Sequence, residues 1–345
     1  MSRFKEAQEE DLLYLLEKRD SLSTKNVIKC AVNILKQYCS ENNVSISGQT
    51  PAELNDLLRK FYFAVRTQKG ELYSKKSYLS IRYGLQKHYE GNMCIDIVNS
   101  PEFTEANKIF RAMLVKLKKE GKAKVVHKEP LSNADLEKLY GSFDIETPVG
   151  LQNKIFVDFM MYFCNRGREN LRDLKRGDFI VDENREYIEL RDMTTKNHRG
   201  ELHDGESQGG RIYKTGRKLC PFQSFTKYLS VLNKDCDAFF QRPKKDVTSS
   251  TSSVWYDKVP VGKHTLGDKM KNLSLEAGLS TVYTNHCLRA TSITLLDGFE
   301  ARHIMTLSGH KSETSIRSYA RTGDEQKEKM ARTIAEAISG TLYLK

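Results

Sequence analysis

A chain of 345 residues is longer than most single hydrophobic cores can support, so its length predicts two domains. The 56 Lys and Arg exceed the 45 Asp and Glu, and the resulting net charge of +11 favours a polyanionic partner such as nucleic acid. Seven cysteines without a C-x-x-C pair argue against a disulfide framework and a zinc module. No apolar run approaches the roughly 20 residues of a membrane span, and the N-terminus is charged, so we expect a soluble protein in a reducing intracellular compartment.

The first 120 residues are predicted to form a helical domain. Apolar residues at three- and four-residue spacing between Val27 and Tyr38 describe one helical stripe. A second helix starts at Thr50-Pro51, an N-cap followed by a proline at the first helical position. Two further helices are predicted at 74–89 and about 102–119. In the helix at 74–89 the tyrosines are expected to pack in the core, and the basic residues are candidates for phosphate contact: Lys75, Lys76 and Arg82.

A basic segment at 121–129 is predicted to link this helical domain, 1–120, to a second domain, 130–345. Helical periodicity ends near Gly121, and lysines surround that position: Lys118, Lys119, Lys122 and Lys124. Such a run is either a solvated linker or a segment that lies against a nucleic-acid backbone, where each lysine near a phosphate displaces a counterion. Both interpretations stay open from the sequence.

The second domain is predicted to be mixed. Ser132 caps a helix that runs through Leu139, and a helix at 153–162 is apolar on nearly all sides and should be central. The pattern then alternates with period two within 179–195, as in a strand, and residues 211–213 are its predicted partner. The Ser- and Thr-rich segment 246–253 is predicted to be a surface loop.

The last 60 residues contain the most informative residues. His286 and Arg289 are three positions apart on a helix that Thr284 can cap, so they share a face, and a separate stripe is predicted to be buried: Leu288, Leu295 and Leu296. A short helix at 300–307 ends at Gly309, and the turn delivers His310. Tyr319 is predicted to lie in a helix that starts near Ser312. Taken singly, these residues are as easily an exposed pair, a cation at a helix end and a packing tyrosine.

In this order the residues resemble the tyrosine recombinases, and most of all those of Crypton transposons and their host-adopted relatives. The resemblance covers about 130–330 and rests on these strings: Asn165-Arg166-Gly167-Arg168-Glu169-Asn170-Leu171, Thr195-Lys196-Asn197-His198, Cys236-Asp237-Ala238-Phe239-Phe240-Gln241-Arg242-Pro243, Thr284-Asn285-His286-Cys287-Leu288-Arg289 and Leu307-Ser308-Gly309-His310-Lys311-Ser312. The first 125 residues match only in general character. After Arg166 the leucines of the family pattern fall one position late, so Arg168 is a rival for the first catalytic arginine.

The resemblance implies a fold and a site. The fold is mainly helical with a small β-hairpin or sheet in the second domain, and its core-binding and catalytic domains close on duplex DNA as a clamp. The implied catalytic residues are Arg166, Lys196, His286, Arg289, His310 and Tyr319. Guanidinium groups match two phosphate oxygens at once, so arginines and His310 can stabilise the transferred phosphate, without a metal or another cofactor. Lys196, or alternatively Lys214, is the implied general acid.

The implied activity is DNA strand breakage and rejoining through a 3′-phosphotyrosine, in recombination or integration of a mobile element. It implies double-stranded DNA as the partner, a homodimer on one site, a homotetramer in synapsis and a location in the nucleus. The helical tail at 324–342 could dock on a neighbouring protomer or fold back on its own. Two alternatives remain: a DNA-binding protein of Crypton descent without recombinase activity, and a topoisomerase of the type IB kind.

Overall fold

The computed structural model describes residues 5–46, 48–124, 127–191, 209–245, 252–317, 319 and 324–342. Contacts within the chain divide it into two compact units, Met1–Val126 and His127–Lys345. The boundary falls inside the segment 121–129. None of the described helices combines the length and the apolar character needed to cross a bilayer.

The first unit is helical in its described residues. Its helices are α1 (Glu9–Arg19), α2 (Leu22–Glu41), α3 (Pro51–Ala64), α4 (Lys75–Met93) and α5 (Thr104–Lys119), with one 3-10 turn at Pro101–Phe103. The predicted start of α3 is confirmed, because Thr50 and Glu53 form a reciprocal capping box. The sequence analysis did not predict α1.

Small and aromatic residues set the packing of this unit. A Cβ on Gly84 of α4 would lie 2.8 Å from the Cβ of Ala31, so glycine allows α4 to approach α2 closely. Tyr78 and Tyr89 are buried as predicted. Arg82 differs from the prediction: it is 6% exposed, and its guanidinium lies 4.2 Å from the ring centroid of Phe110. Arg82 is thus a core residue that stacks on an aromatic ring, and it does not offer its charge to a phosphate.

The end of α5 corrects the start of the predicted linker. Gly121 has a φ of +71°, its N–H bonds to the carbonyl of Lys118, and the N–H of Lys122 bonds to that of Leu117. This 6→1 and 5→2 pattern is a helix C-terminal cap for which glycine is favoured. The carbonyl of Lys122 also accepts from the N–H of Lys75 at 3.0 Å, so these residues belong to the first unit.

The second unit combines helices with two small antiparallel sheets. In chain order its elements are α6 (Asn133–Gly141), α7 (Pro148–Tyr162), β1 (Phe179–Asp182), β2 (Tyr187–Leu190), β3 (Arg211–Tyr213), α8 (Pro221–Val231), β4 (Gln241–Pro243), β5 (Tyr256–Pro260), α9 (Lys263–Gly267), α10 (Lys269–Glu276), α11 (Asn285–Leu295), α12 (Ala301–Ser308), α13 (Glu313–Arg317) and α14 (Asp324–Leu342). Strands β1, β2 and β3 form one sheet in that order, and β4 pairs with β5. The pairing of 211–213 is confirmed, with Ile188 opposite Ile212, whereas the single strand predicted from 179 is two strands.

Helix α7 is central, as predicted, although it begins earlier, at Pro148. Every residue from Gly150 to Met160 is buried. Among them is Lys154, whose ammonium lies 2.5 Å from the carboxylate of Asp158, and Tyr140 donates to the same carboxylate at 2.8 Å. Because a buried charge requires pairing, this trio accounts for a lysine inside an otherwise apolar core.

Candidate active site

Arg289 lies inside the second unit, on a helix that is buried more completely than the sequence pattern indicates. Helix α11 begins after Thr284 and is buried from Cys287 through Ile293. Leu288 is fully buried, whereas Leu295, predicted to belong to the same stripe, is 56% exposed. Arg289 itself is 3% exposed. The predicted amphipathic helix is therefore buried on its reactive side as well.

Two backbone carbonyls hold the guanidinium of Arg289. Its Nη1 donates to the carbonyl of Cys164, and its Nη2 donates to that of Ser308 at 2.5 Å. Cys164 follows α7 with a φ of +45°, unusual for a residue with a Cβ, and Ser308 ends α12, where carbonyls lack helical partners. An arginine has five N–H groups, so these two carbonyls do not use all of its donors. Arg289 thus joins α11 to the residue after α7 and to the end of α12, and keeps donors for an anion.

His310 lies against Arg289. Helix α12 ends at Gly309, whose φ of +63° confirms the predicted glycine, and both ring nitrogens of His310 are within 3.4 Å of Nη2 of Arg289. The Nδ1 is 2.7 Å from the hydroxyl of Ser308, which donates its own proton to Ile304. Nδ1 therefore carries the proton of the neutral ring. Burial, together with the charges of Arg289 and Arg166, lowers the pKa of His310 to about 4.

This depressed pKa predicts that the DNA-free protein loses stability as the pH falls from about 6.5 to about 4. The unfolded histidine binds a proton in this range and the folded one does not, so the free energy of unfolding decreases as the pH decreases. We expect a loss on the order of 1 kcal/mol, since the ring is partly exposed and solvent screens its neighbours. Urea unfolding at pH 7 and pH 4.5 measures it. His310→Gln should flatten the dependence and exposed His264→Gln should not; equal behaviour of the two variants would contradict the assignment.

Tyr319 is held near these groups by a small cluster of isoleucines. Ile293 of α11, Ile304 of α12 and Ile316 of α13 are buried together, and Tyr319 packs against them. Tyr319 follows α13 rather than lying within it, and its N–H donates to the carbonyl of Ile316 at 2.8 Å. Helices α12 and α13, which follow α11 in the sequence, thus bring Tyr319 back to α11.

The hydroxyl of Tyr319 is 3.5 Å from Nε2 of His286, and its ring lies edge-on to His310 with centroids 5.7 Å apart. Burial and the charge of Arg289 lower the pKa of His286. A neutral imidazole with a free ring nitrogen can accept a proton. The arrangement therefore places a proton acceptor at the tyrosine hydroxyl and a buried guanidinium behind it.

The structure distinguishes the two candidate arginines by position. Arg166 pairs with Glu169 at 3.3 Å, and its charge acts on His286, Arg289 and His310. The side chain of Arg168 is 61% exposed and pairs with Asp268 at 2.8 Å. Only Arg166 of the two therefore lies with the buried cations, despite the one-residue shift of the leucines that follow it.

Asn285 positions this segment, and the sequence analysis gave it no role. Its side-chain amide donates to the carbonyls of Gly167 at 2.7 Å and Leu266 at 2.8 Å, and its oxygen accepts from the N–H of Met270. A Cβ on Gly167 would lie 3.1 Å from the N atom of His286, so glycine permits this approach. The signal available in the sequence was an asparagine at the first position of a predicted helix.

The predicted general acid Lys196 lies outside the described residues, as does the whole string that contains it. Its alternative, Lys214, follows β3 and pairs with Glu186 at 2.5 Å, which raises the pKa of Lys214. A lysine engaged in this way is a weaker proton donor at neutral pH. Among the described residues, no three of His, Cys, Asp or Glu are grouped as a metal ion requires.

The predicted DNA-contacting lysines lie in the first unit and are exposed: Lys75, Lys76, Lys118, Lys119, Lys122 and Lys124. The bond between the N–H of Lys75 and the carbonyl of Lys122 joins the start of α4 to the end of α5. Lys122 also pairs with Glu71 at 3.5 Å. The lysines at the start of α4 and those at the end of α5 are remote in sequence, yet they form one basic surface at one end of this unit. We call it the α4–α5 lysine surface.

Comparison with solved structures identifies the fold. The chain resembles the Tn1549 transposon integrase in complex with transposon right-end DNA, with 14% identity, 94% of this chain and 98% of that chain covered and a TM-score of 0.54. A second structure of that integrase, in complex with circular intermediate DNA, is also 14% identical, with 91% and 94% covered and a TM-score of 0.53.

Sequence comparisons add relatives without an assigned activity. The human uncharacterized protein KIAA1958 and its mouse homolog are each 23% identical to this chain over 291 residues, which is 78% of this chain. The chain spans about two-fifths of the length of these relatives, and no family model matches it. The architecture itself, a helical unit followed by a mainly helical unit with small antiparallel sheets, is the integrase fold, that of the tyrosine recombinases.

Proposed function

We propose that this protein breaks and rejoins DNA strands through a covalent 3′-phosphotyrosine formed by Tyr319. One observation carries the proposal: the hydroxyl of Tyr319 lies 3.5 Å from Nε2 of His286. It also lies beside the guanidinium of Arg289, which donates to two backbone carbonyls. In a protein that only binds DNA, nothing requires a tyrosine hydroxyl to lie beside a proton acceptor and a buried cation. The tyrosine recombinase fold and the net charge of +11 support the same proposal.

In the proposed first step the tyrosine oxygen attacks a DNA phosphate. The new bond joins that oxygen to phosphorus, the bond from phosphorus to the 5′-oxygen breaks, and His286 accepts the phenolic proton. Ionising a free tyrosine at pH 7 costs roughly 4 kcal/mol, given its ordinary pKa of about 10, so the attack requires a base that takes the proton. Arg166 and Arg289 stabilise the charge that develops on the phosphate oxygens. His310 donates a hydrogen bond to the same phosphate oxygens once the bound phosphate has raised the pKa of His310.

The leaving 5′-oxygen requires a proton, and we assign its delivery to Lys196. In the second step the 5′-hydroxyl of another strand attacks the phosphotyrosine, and Tyr319 leaves and recovers its proton. The bond energy of the phosphodiester is retained in the protein–DNA bond, so rejoining needs no nucleotide triphosphate. By the family resemblance we further propose a homodimer on each DNA site, a synaptic homotetramer, a location in the nucleus and descent from Crypton elements.

The experiment that tests this function is covalent trapping on nicked duplexes that contain candidate element ends. After cleavage the short fragment that carries the new 5′-hydroxyl diffuses away, and the protein should remain on the DNA through a 3′-phosphate. Relaxation of supercoiled DNA by a monomer would instead favour a topoisomerase. Binding without any adduct would favour a DNA-binding protein, and metal-dependent cleavage without an adduct would indicate a nuclease.

The α4–α5 lysine surface is proposed to contact the DNA backbone. Replacing Lys118, Lys119, Lys122 and Lys124 with glutamine should weaken binding similarly for unrelated DNA sequences. It should also flatten the plot of log affinity against log salt by up to about four units, close to one for each lost phosphate contact. Fluorescence anisotropy across a salt series measures both effects. The same change at four exposed lysines of the second unit is the control: Lys234, Lys258, Lys263 and Lys271. An unchanged slope would show that the surface is only solvated.

A further inference from the structure

Helix α1 exposes apolar side chains that nothing covers in the described chain. It contains no buried residue, and its leucines are between 44% and 66% exposed: Leu12, Leu13, Leu15 and Leu16. Glu9, Leu12, Leu13 and Leu16 follow the i, i+3, i+4, i+7 spacing of one helical face, and Glu10 lies beside it. An isolated helix of 11 residues is marginal in water, so α1 requires a partner surface.

A groove on the same unit has the complementary character. One stripe of α2, together with His88 of α4, lines a cavity of about 390 Å³: Lys25, Ile28, Lys29, Val32, Asn33 and Lys36. Lys29 and Lys36 are exposed, and within the part of the chain that the structure describes neither makes a hydrogen bond or an ion pair. Their charges are therefore available along an aliphatic floor made by Ile28 and Val32.

The two surfaces match in length and are complementary in charge. At 1.5 Å per residue, α1 spans roughly 15 Å and the stripe from Lys25 to Lys36 roughly 16 Å. The acids of α1 are grouped in its first turn ahead of its leucines, and the groove combines lysines with aliphatic residues. We propose that α1 of one copy of this chain docks in the α2–α4 groove of a second copy, with its leucines on Ile28 and Val32 and the acids of its first turn against the lysines of the groove.

Helix α1 lies outside the groove of its own chain, since it has no buried residue and none of its residues lines the groove. The connection between α1 and α2 consists of Asp20 and Ser21, both with extended backbone, and Ser21 caps α2 through the N–H of Thr24. Asp20 pairs with Lys87 at 3.4 Å, and Glu17 at the end of α1 pairs with Lys25 at 3.3 Å. A return over the same groove would need a tight turn at these two residues. A second copy meets the requirement without changing the connection.

Charge exchange tests this contact on the full chain without DNA. The mass in solution should be at least twice the 39.6 kDa of one chain. An α1 variant, Glu9→Lys with Glu10→Lys, and a groove variant, Lys29→Glu with Lys36→Glu, should each have the mass of one chain. A mixture of the two variants should associate again, because the unchanged α1 of the groove variant fits the unchanged groove of the α1 variant. The two changed surfaces are also opposite in charge. Sedimentation at low salt measures the mass of each sample, and circular dichroism verifies that all variants are folded.

A charge-matched control, Lys263→Glu with Lys271→Glu on the second unit, should associate as the wild type does. The proposal is overturned by a wild-type chain that stays monomeric, as it would with α1 docked in its own groove. It is equally overturned if either single variant associates as the wild type does, or if the mixture stays monomeric. The measurement contains no DNA, so its outcome is independent of the proposed strand-transfer function.

Discussion

Tyr319→Phe is expected to abolish the covalent adduct with nicked duplex DNA, a loss on the order of 10⁴-fold or more, because it removes the attacking oxygen. The ring keeps its packing against Ile293, Ile304 and Ile316, so folding and duplex binding should be unchanged. Denaturing gels of trapped complexes measure the adduct, and peptide mapping should place it on the segment between Arg317 and Arg321. Tyr83→Phe, at a 54% exposed tyrosine of the first unit, is the control and should form the adduct normally.

Three outcomes would contradict this assignment. One is an adduct that maps to another tyrosine, and a second is a link through a 5′-phosphate instead of a 3′-phosphate. Persistence of the adduct in Tyr319→Phe would also exclude the phenolic oxygen as the nucleophile. These results distinguish a misplaced nucleophile from an inactive preparation, because the wild type and the Tyr83→Phe control are trapped in parallel.

Arg289→Ala is expected to reduce strand cleavage by about 10²–10³-fold or more, with duplex binding changed by no more than about tenfold. One preorganised donor to the developing charge is worth about 3–4 kcal/mol, whereas binding depends on many separate phosphate contacts. The variant should also be less stable by roughly 1–3 kcal/mol for each unpaired carbonyl, since Cys164 and Ser308 lose their donor. Single-turnover cleavage, scaled to the folded fraction, separates the two effects.

Two further substitutions keep this prediction testable if Arg289→Ala folds poorly. Arg289→Lys retains the charge but loses the planar fork, so it should fold better and still cleave slowly. Arg166→Ala should impair cleavage strongly, whereas Arg168→Ala should have a small effect, because Arg168 is exposed and paired with Asp268. Near wild-type cleavage by folded Arg289→Lys would remove the guanidinium from the proposed mechanism, and a larger loss in Arg168→Ala would reverse the choice of arginine.

Local patterns in the sequence determined several features of this protein. The three-residue spacing of His286 and Arg289 on one helix, the glycine that ends α12 and the capping box of α3 are set by interactions within a few residues. The pairing of 211–213 with β2 followed from alternation of apolar residues. Such features are predictable because the hydrogen bonds and side-chain periods that determine them lie within a single element.

Only the tertiary structure decided which charges are buried together. Arg82 and Lys75 lie on the same helix, yet Arg82 stacks on Phe110 of α5 and Lys75 is exposed beside Lys122. Arg166 was distinguished from Arg168 by its position among the cations, and Arg289 was found to donate to the carbonyls of Cys164, which follows α7, and Ser308, which ends α12. These outcomes depend on partners more than 20 residues away or on another element, and a charged side chain carries no local signal of the partner that will pair with it after folding.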